Sequence, residues 1–333
     1  MTDDQVPKGA VRQMQKKTSK LRALIGATEI LTMPGIFDGY SARLVEQAGF
    51  PAGFISGAGL SEALLGQPDV GLMGLETNVN ACRALAACCA IPLLADADTG
   101  YGNAVNVYHV VQAFEQAGIA GIMLEDQTWP KRCGHMSGKT VVSADEMVEK
   151  LHAATDARRD ADFIIKSRTD AFATHGIDEV IRRLNLYAEA GADLLFADAL
   201  LSERDIESVA RNVSKPLCVN MGFGIRSRAT TPLISAARLQ ELGVGAVIYP
   251  RLLTACAVQG MKNGLQTLSE QLRSGTVVER AEYAVSFEEL NEVVGFAQAC
   301  ALEQRFVTPK PDSPGRQSAA AIGPTVRAGS GWR

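Results

Sequence analysis

EQAGIAGIMLED, residues Glu115 to Asp126, holds a complete junction between a helix and a buried strand. Helix-compatible residues stop at Gly118, a short apolar run follows, and two carboxylates close it. Glycine just past a helix end adopts a left-handed conformation that other residues resist, and a brief apolar run bounded in this way reads as a buried strand. The pattern recurs as EQAGFPAGFIS (46–56), AEAGADLLFAD (188–198) and QELGVGAVIYP (240–250). Repeated units of helix, glycine and apolar strand predict parallel strands joined through helices.

Working outward, apolar runs near 30–35, 52–57, 92–98, 120–126, 163–169, 194–199, 216–221 and 246–250 supply eight candidate strands. Helical patterns such as NVYHVVQAFEQAG (106–118) and IDEVIRRLNLYAEAG (177–191) lie between them. Eight buried strands alternating with helices over roughly 250 residues predict an α/β fold of the closed (β/α)₈ TIM-barrel type. An open doubly wound sheet is the rival, but no GxGxxG follows the first strand. The barrel is expected over 21–275, between a loose polar segment 1–20 and a Pro-, Gly- and Ser-rich tail 308–333. One helical pattern, SFEELNEVVGFAQACALEQRF (286–306), is surplus to a barrel and is expected as a C-terminal helical extension over 276–307.

Composition narrows the function classes. Of 333 residues 47% are hydrophobic and 21% charged, with a formal net charge of -4, which is ordinary globular composition and gives no support for nucleic-acid binding. The N-terminal segment lacks the apolar core of a signal peptide, and no stretch has the length of a membrane span, so neither secretion nor membrane association is expected. Seven scattered cysteines, an odd number, read as reduced thiols in a cytoplasmic protein rather than a disulfide framework.

In a barrel, polar groups at the C-terminal ends of strands surround the active site. Here the strand ends carry Asp96 and Asp98, Glu125 and Asp126, Arg168 and Asp170, Asp198, and Asn220. Helix capping accounts for one or two such carboxylates but poorly for several at successive strand ends. Strand alternation would put Asp96 and Asp98 on one face, where two oxygen ligands suit Mg²⁺. The stretch EDQTWPKRCGHMSGKT (125–140) then places Cys133 among Lys131, Arg132, His135 and Lys139. Cys-x-His is a poor zinc spacing. Basic neighbours lower a thiol's pKa, and such a group suits a general acid or equally a nucleophile, although no acyl-transfer triad is evident nearby in sequence. The connection from Gln127 to Val142 exceeds typical βα loops and is expected to act as a lid carrying that group.

Together ISGAG (55–59), LGQPDVG (65–71), ADADTGYGN (95–103), EDQTWPKRCGH (125–135), SRTDA (167–171) and VNM (219–221) resemble the isocitrate lyase and phosphoenolpyruvate mutase superfamily. The resemblance runs from about Leu31 to Val307, and the KRCGH segment is similar to that of its 2-methylisocitrate and 2,3-dimethylmalate lyases, a segment that its carboxyphosphonoenolpyruvate phosphonomutases also carry in similar form. It implies a carbon–carbon lyase that cleaves a 2-hydroxy di- or tricarboxylate by retro-aldol chemistry, releasing pyruvate or a related 2-oxo acid. It also implies Mg²⁺, replaceable by Mn²⁺, held by Asp96, Asp98 and Glu125, and Arg168 neutralising a carboxylate. Ser56, Gly57 and Ala58 would bind the oxo-acid carboxylate, with Asp69 behind the metal. Cys133 would deliver the proton to the departing fragment. Lys131, Arg132 and His135 would hold that fragment, and Gly134, Asp198 and Asn220 would border the substrate. The last helix is implied to swap between subunits of a homotetramer.

Three departures bear on the substrate. Strand six ends in Asp198 where relatives usually place glutamate, and Phe54 stands where methylisocitrate lyases have tyrosine. MGFGIRSRATTP (221–232) is longer than its counterpart, lacks its glutamate, and carries Arg226 and Arg228. The rival activities are, first, a carboxyphosphonoenolpyruvate phosphonomutase, then an oxaloacetate decarboxylase or hydrolase. A barrel serving only as an interaction module is the bland alternative.

Overall fold

The computed structural model describes residues 16–134, 136, 138–222 and 231–307. Within them eight parallel strands close in chain order into one barrel: β1 (Leu31–Ile36), β2 (Gly53–Ile55), β3 (Leu93–Asp96), β4 (Gly121–Glu125), β5 (Ile164–Thr169), β6 (Leu194–Ala197), β7 (Leu217–Asn220) and β8 (Ala246–Tyr249). Pairing of Leu31 with Ala246 closes the ring. The helices, in chain order, begin with α1 (Lys17–Ile25), α2 (Gly39–Gln47), α3 (Gly57–Leu60), α4 (Leu75–Cys88), α5 (Ala104–Gln116) and α6 (Ala144–Ala157). They continue with α7 (Phe172–Glu189), α8 (Glu203–Asn212), α9 (Ala236–Glu241) and α10 (Leu252–Ser274). The junction glycines behave as the opening pattern requires: Gly49, Gly118, Gly191 and Gly243 all have φ between 83° and 105°. Serine, aspartate or asparagine caps start several of the following helices, with Asp38, Asn103, Ser143, Ser202 and Ser235 accepting from first-turn amides.

The core has two layers. Val110, Phe114, Leu151, Leu184, Leu195 and Val247 fill the space between sheet and helices. Met33, Phe54, Leu94, Met123, Phe196 and Ile248 fill the barrel interior. Leu21 and Ile25 join that interior cluster, so the segment expected to be loose through residue 20 becomes helical at Lys17. Its sparse apolar residues find a partner that local patterning cannot reveal, the interior of the barrel, while the Lys17 ammonium donates to the carbonyls of Ala86 and Cys89 at 2.7 Å each.

Lys166 on β5 is 0% exposed and lies between two aromatic rings, with Nζ 5.0 Å from the centre of Phe54 and 4.3 Å from that of Phe196. Its Nζ finds no oxygen acceptor among the described residues; burial, partly offset by the neighbouring Cys218, holds its pKa below the ordinary lysine value. The unfolded chain therefore binds more protons than the folded one between the depressed pKa and the ordinary one, and stability falls as pH falls through that window. Lys166→Met is accordingly expected to raise stability at neutral pH by about 1–3 kcal/mol, measured by denaturant unfolding. An unchanged or lower midpoint would show that the rings and the thiol fully compensate the amine.

The surplus helix is two helices, α11 (Phe287–Val294) and α12 (Phe296–Phe306), because Gly295 between them takes φ 76° and breaks the continuous pattern. They belong to a second compact unit that starts at Phe287, later than the expected boundary at 276. No helix among the described residues is long and apolar enough to cross a membrane.

Candidate active site

At the C-terminal ends of the strands lies a cavity bordered by Phe54, Ser56, Ala58, Asp69, Asp96, Glu125, Lys131, Arg132, Cys133, Gly134, Arg168, Asp198, Asn220 and Arg251. Nearly every residue expected to form a site therefore converges on one place. Gly57 backs the cavity from behind Asp96, where a methyl group would come within 2.8 Å of the Asp96 Oδ2. His135, Arg226 and Arg228 lie outside the described residues.

Register sets the central ion pair: Glu125 on β4 pairs with Arg168 on β5, which brings Arg168 Nε to 3.3 Å from Glu125 Oε2. The guanidinium also donates to both Asp170 oxygens at 2.7 and 2.8 Å and to Asp198 Oδ2 at 3.1 Å. Burial would lift the Asp170 carboxyl, but Arg168 and Lys139 hold it well below the usual carboxylate range. Asp170, expected at the strand end but without an assigned role, is thus the anchor of Arg168. Asp126 has a different fate. It accepts from Thr169 Oγ1 (2.7 Å), Tyr187 Oη (2.8 Å), the Asp170 amide (2.9 Å) and Arg183 Nη1 (3.0 Å), and so ties β4 to α7 rather than facing the cavity.

Two of the basic residues near Cys133 are spent elsewhere. Lys131 pairs with Asp69 and, at 2.8 Å, with Asp98. Lys139 donates to Asp170 Oδ1 and to the Gly134 carbonyl at 2.7 and 2.8 Å. A cation that reaches the thiol comes instead from two residues past β8: Arg251 Nη2 donates to Cys133 Sγ at 3.4 Å, and its Nη1 meets Glu62. An arginine immediately beyond a strand-end proline was the available signal. Gly134 is dictated by space, since a side chain there would overlap the Asp198 carboxylate.

Asp96 and Asp98 do not share a face as alternation predicts. β3 ends at Asp96, and Asp98 takes φ 49°, which turns its carboxylate to Lys131. Among the described residues no three His, Cys, Asp or Glu side chains form a ready metal cage. The charge balance nonetheless favours a cation. Six buried carboxylates (Asp69, Asp96, Asp98, Glu125, Asp170, Asp198) face three buried cations (Lys131, Lys139, Arg168). Burial and the remaining carboxylates push Asp98 up to about 6 and Glu125 well above its ordinary value, against the pull of Lys131 and Arg168. Glu125 Oε1 is buried with no hydrogen-bond partner among the described residues. This donor set fits an ion that keeps several waters and takes few carboxylates, as Mg²⁺ does.

A polar, ion-paired cavity at this end of a closed barrel is where barrel enzymes act on small molecules. Residues 21–269 match the phosphoenolpyruvate phosphomutase family, and the chain belongs to it, within the isocitrate lyase and phosphoenolpyruvate mutase superfamily. It is 38% identical to the 2,3-dimethylmalate lyase of Eubacterium barkeri over 87% of this chain and 98% of that one. It is also 38% identical to a chloroplastic carboxyvinyl-carboxyphosphonate phosphorylmutase of Arabidopsis thaliana, over 86% of this chain and 84% of the other. Among solved structures it resembles a phosphonopyruvate hydrolase in complex with oxalate and Mg²⁺, with TM-score 0.77 and 31% identity over 88% of this chain and all of that one.

Proposed function

We propose that the protein is a divalent-metal-dependent carbon–carbon lyase that cleaves a 2-hydroxy di- or tricarboxylate to a 2-oxo acid and a carboxylate fragment. The observation that carries this reading is the thiol of Cys133 bordering the same cavity as the buried carboxylate cluster. A retro-aldol cleavage needs charge stabilisation at one end of the substrate and a proton donor at the other. Relatives named 2,3-dimethylmalate lyase and 2-methylisocitrate lyase, at 36–38% identity, support this reading, and the phosphonomutase stays the second one.

A divalent ion held by Asp96, with Asp98 and Glu125 beside it, would supply Lewis-acid charge to the hydroxyl and carboxylate oxygens of the acid; Mg²⁺ is the ion we assign, with Mn²⁺ as substitute. Ser56 caps α3, its Oγ accepting from the Gly59 amide, which leaves first-turn amides of Gly57 and Ala58 to receive the oxo-acid carboxylate. Glu125, with an unpartnered oxygen and a raised pKa, accepts the proton of the 2-hydroxyl. Arg168, fixed by three carboxylates, offsets charge at the cavity floor. As the carbon–carbon bond breaks, its electron pair passes to the fragment's carboxylate, and Cys133 delivers a proton to the carbon. Asp198 and Asn220 border the substrate.

On assembly we propose a homotetramer. Val258, Met261, Leu265, Leu268 and Leu272 are all exposed and recur at helical spacing along α10, and Phe287, Phe296 and Phe306 are exposed in the second unit; apolar surface of this extent supports burial by other copies. All seven cysteines are free, which supports a cytoplasmic setting. Cleavage of a panel of hydroxy acids with Mg²⁺, alongside a phosphonate and oxaloacetate, tests the function. Release of a 2-oxo acid only from a hydroxy acid is the expected result, and turnover of the phosphonate alone would overturn it.

A further inference from the structure

The cations around the cavity differ in how far their charge is already answered. Lys131 is met by Asp69 and Asp98, and Arg168 by Glu125, Asp170 and Asp198. Arg251 has a single carboxylate partner, Glu62, whose side chain is 38% exposed and approaches from the solvent side. The other arm of the guanidinium meets Cys133 Sγ at 3.4 Å, inside the cavity wall. Arg251 is itself 19% exposed, whereas the Asp198 and Glu125 side chains are 2% exposed, so Arg251 marks the rim and those carboxylates the floor.

Resting on the lyase reading, this layout orders the substrate. The hydroxyl end belongs at the carboxylate cluster, the carbon that receives the proton belongs at Cys133, and whatever extends beyond that carbon meets Arg251. A planar guanidinium with one weakly screened partner is built to receive a carboxylate. We propose that Arg251 is a specificity-determining residue that binds an additional carboxylate on the departing fragment, so that the enzyme prefers a 2-hydroxy tricarboxylate over a dicarboxylate. Glu62 occupies the guanidinium when that carboxylate is absent and gives way when it binds.

The test compares kcat/KM for 2-methylisocitrate and 2,3-dimethylmalate in wild type, Arg251→Leu and Arg251→Lys. The ratio of the two values cancels any general effect on the thiol. Arg251→Leu is expected to lower the preference for the tricarboxylate about ten- to a hundredfold, with partial rescue by lysine; an unchanged ratio overturns the proposal. A second measurement needs no turnover: the rate of iodoacetamide alkylation at Cys133, followed by peptide mass spectrometry, with succinate or propionate present. Succinate is expected to protect the wild type better than propionate, and Glu62→Gln is expected to protect at lower succinate. Equal protection by the two acids, or weaker protection in Glu62→Gln, also overturns it. Cleavage of neither hydroxy acid by the wild type removes the lyase reading alone, while the alkylation measurement still decides the role of Arg251.

Discussion

Cys133→Ser is expected to lower turnover by roughly 10² or more while Mg²⁺ and oxo-acid binding stay near wild type, because a general acid contributes about that factor. Serine preserves the shape and the contact with Arg251, so the loop keeps its seat. What changes is acidity: a hydroxyl releases its proton far less readily than a thiol. The backbone position is fixed independently, since the Cys133 amide donates to the Asp69 carbonyl at 3.1 Å. Single-turnover measurements separate the chemical step from product release. Near-normal turnover in the serine variant would exclude Cys133 as proton donor and leave the fragment's proton to another group.

The second large effect concerns Asp96. Asp96→Asn retains the acceptor for the Asp98 amide, a contact of 3.1 Å, but removes the charge. Turnover is expected to fall roughly 10³-fold with the metal-bound charge lost from the reacting end. The stability readout has the opposite sign. Without metal, six buried carboxylates against three cations repel one another, so the asparagine variant is expected to be at least as stable as wild type in chelator. Added Mg²⁺ is expected to raise the melting temperature of the wild type and not of the variant. An equal Mg²⁺-induced rise in both proteins would show that Asp96 does not hold the ion.

The barrel was legible because its information is local. Four glycines at αβ junctions, each followed by a strand with no polar interruption, carry the period of the fold in short windows. Helix α1 was not legible, because Leu21 and Ile25 are too few to form a pattern by themselves and gain their meaning from the barrel they enter. The site divides in the same way. Asp96, Glu125, Arg168, Asp198 and Asn220 follow from strand ends, and all reach the cavity. What the sequence could not express is pairing across the chain. Lys131 is adjacent to Arg132 and two residues from Cys133, yet its charge is taken by Asp69 and Asp98, and Arg251 approaches the thiol from 118 residues away.

The long β4–α6 connection, which carries Cys133, is fastened at more than one point. Its base is a short ladder: Gln127 bridges Val141, the Thr128 amide donates to the Thr140 carbonyl at 2.9 Å, and the Val142 amide donates to the Asp126 carbonyl at 2.8 Å. Beyond that base, Lys131 and Lys139 fasten the segment on either side of Cys133 to the two walls of the barrel mouth. Neither lysine can leave alone without stranding a buried carboxylate, so two ion pairs on opposite sides of Cys133 secure the segment together.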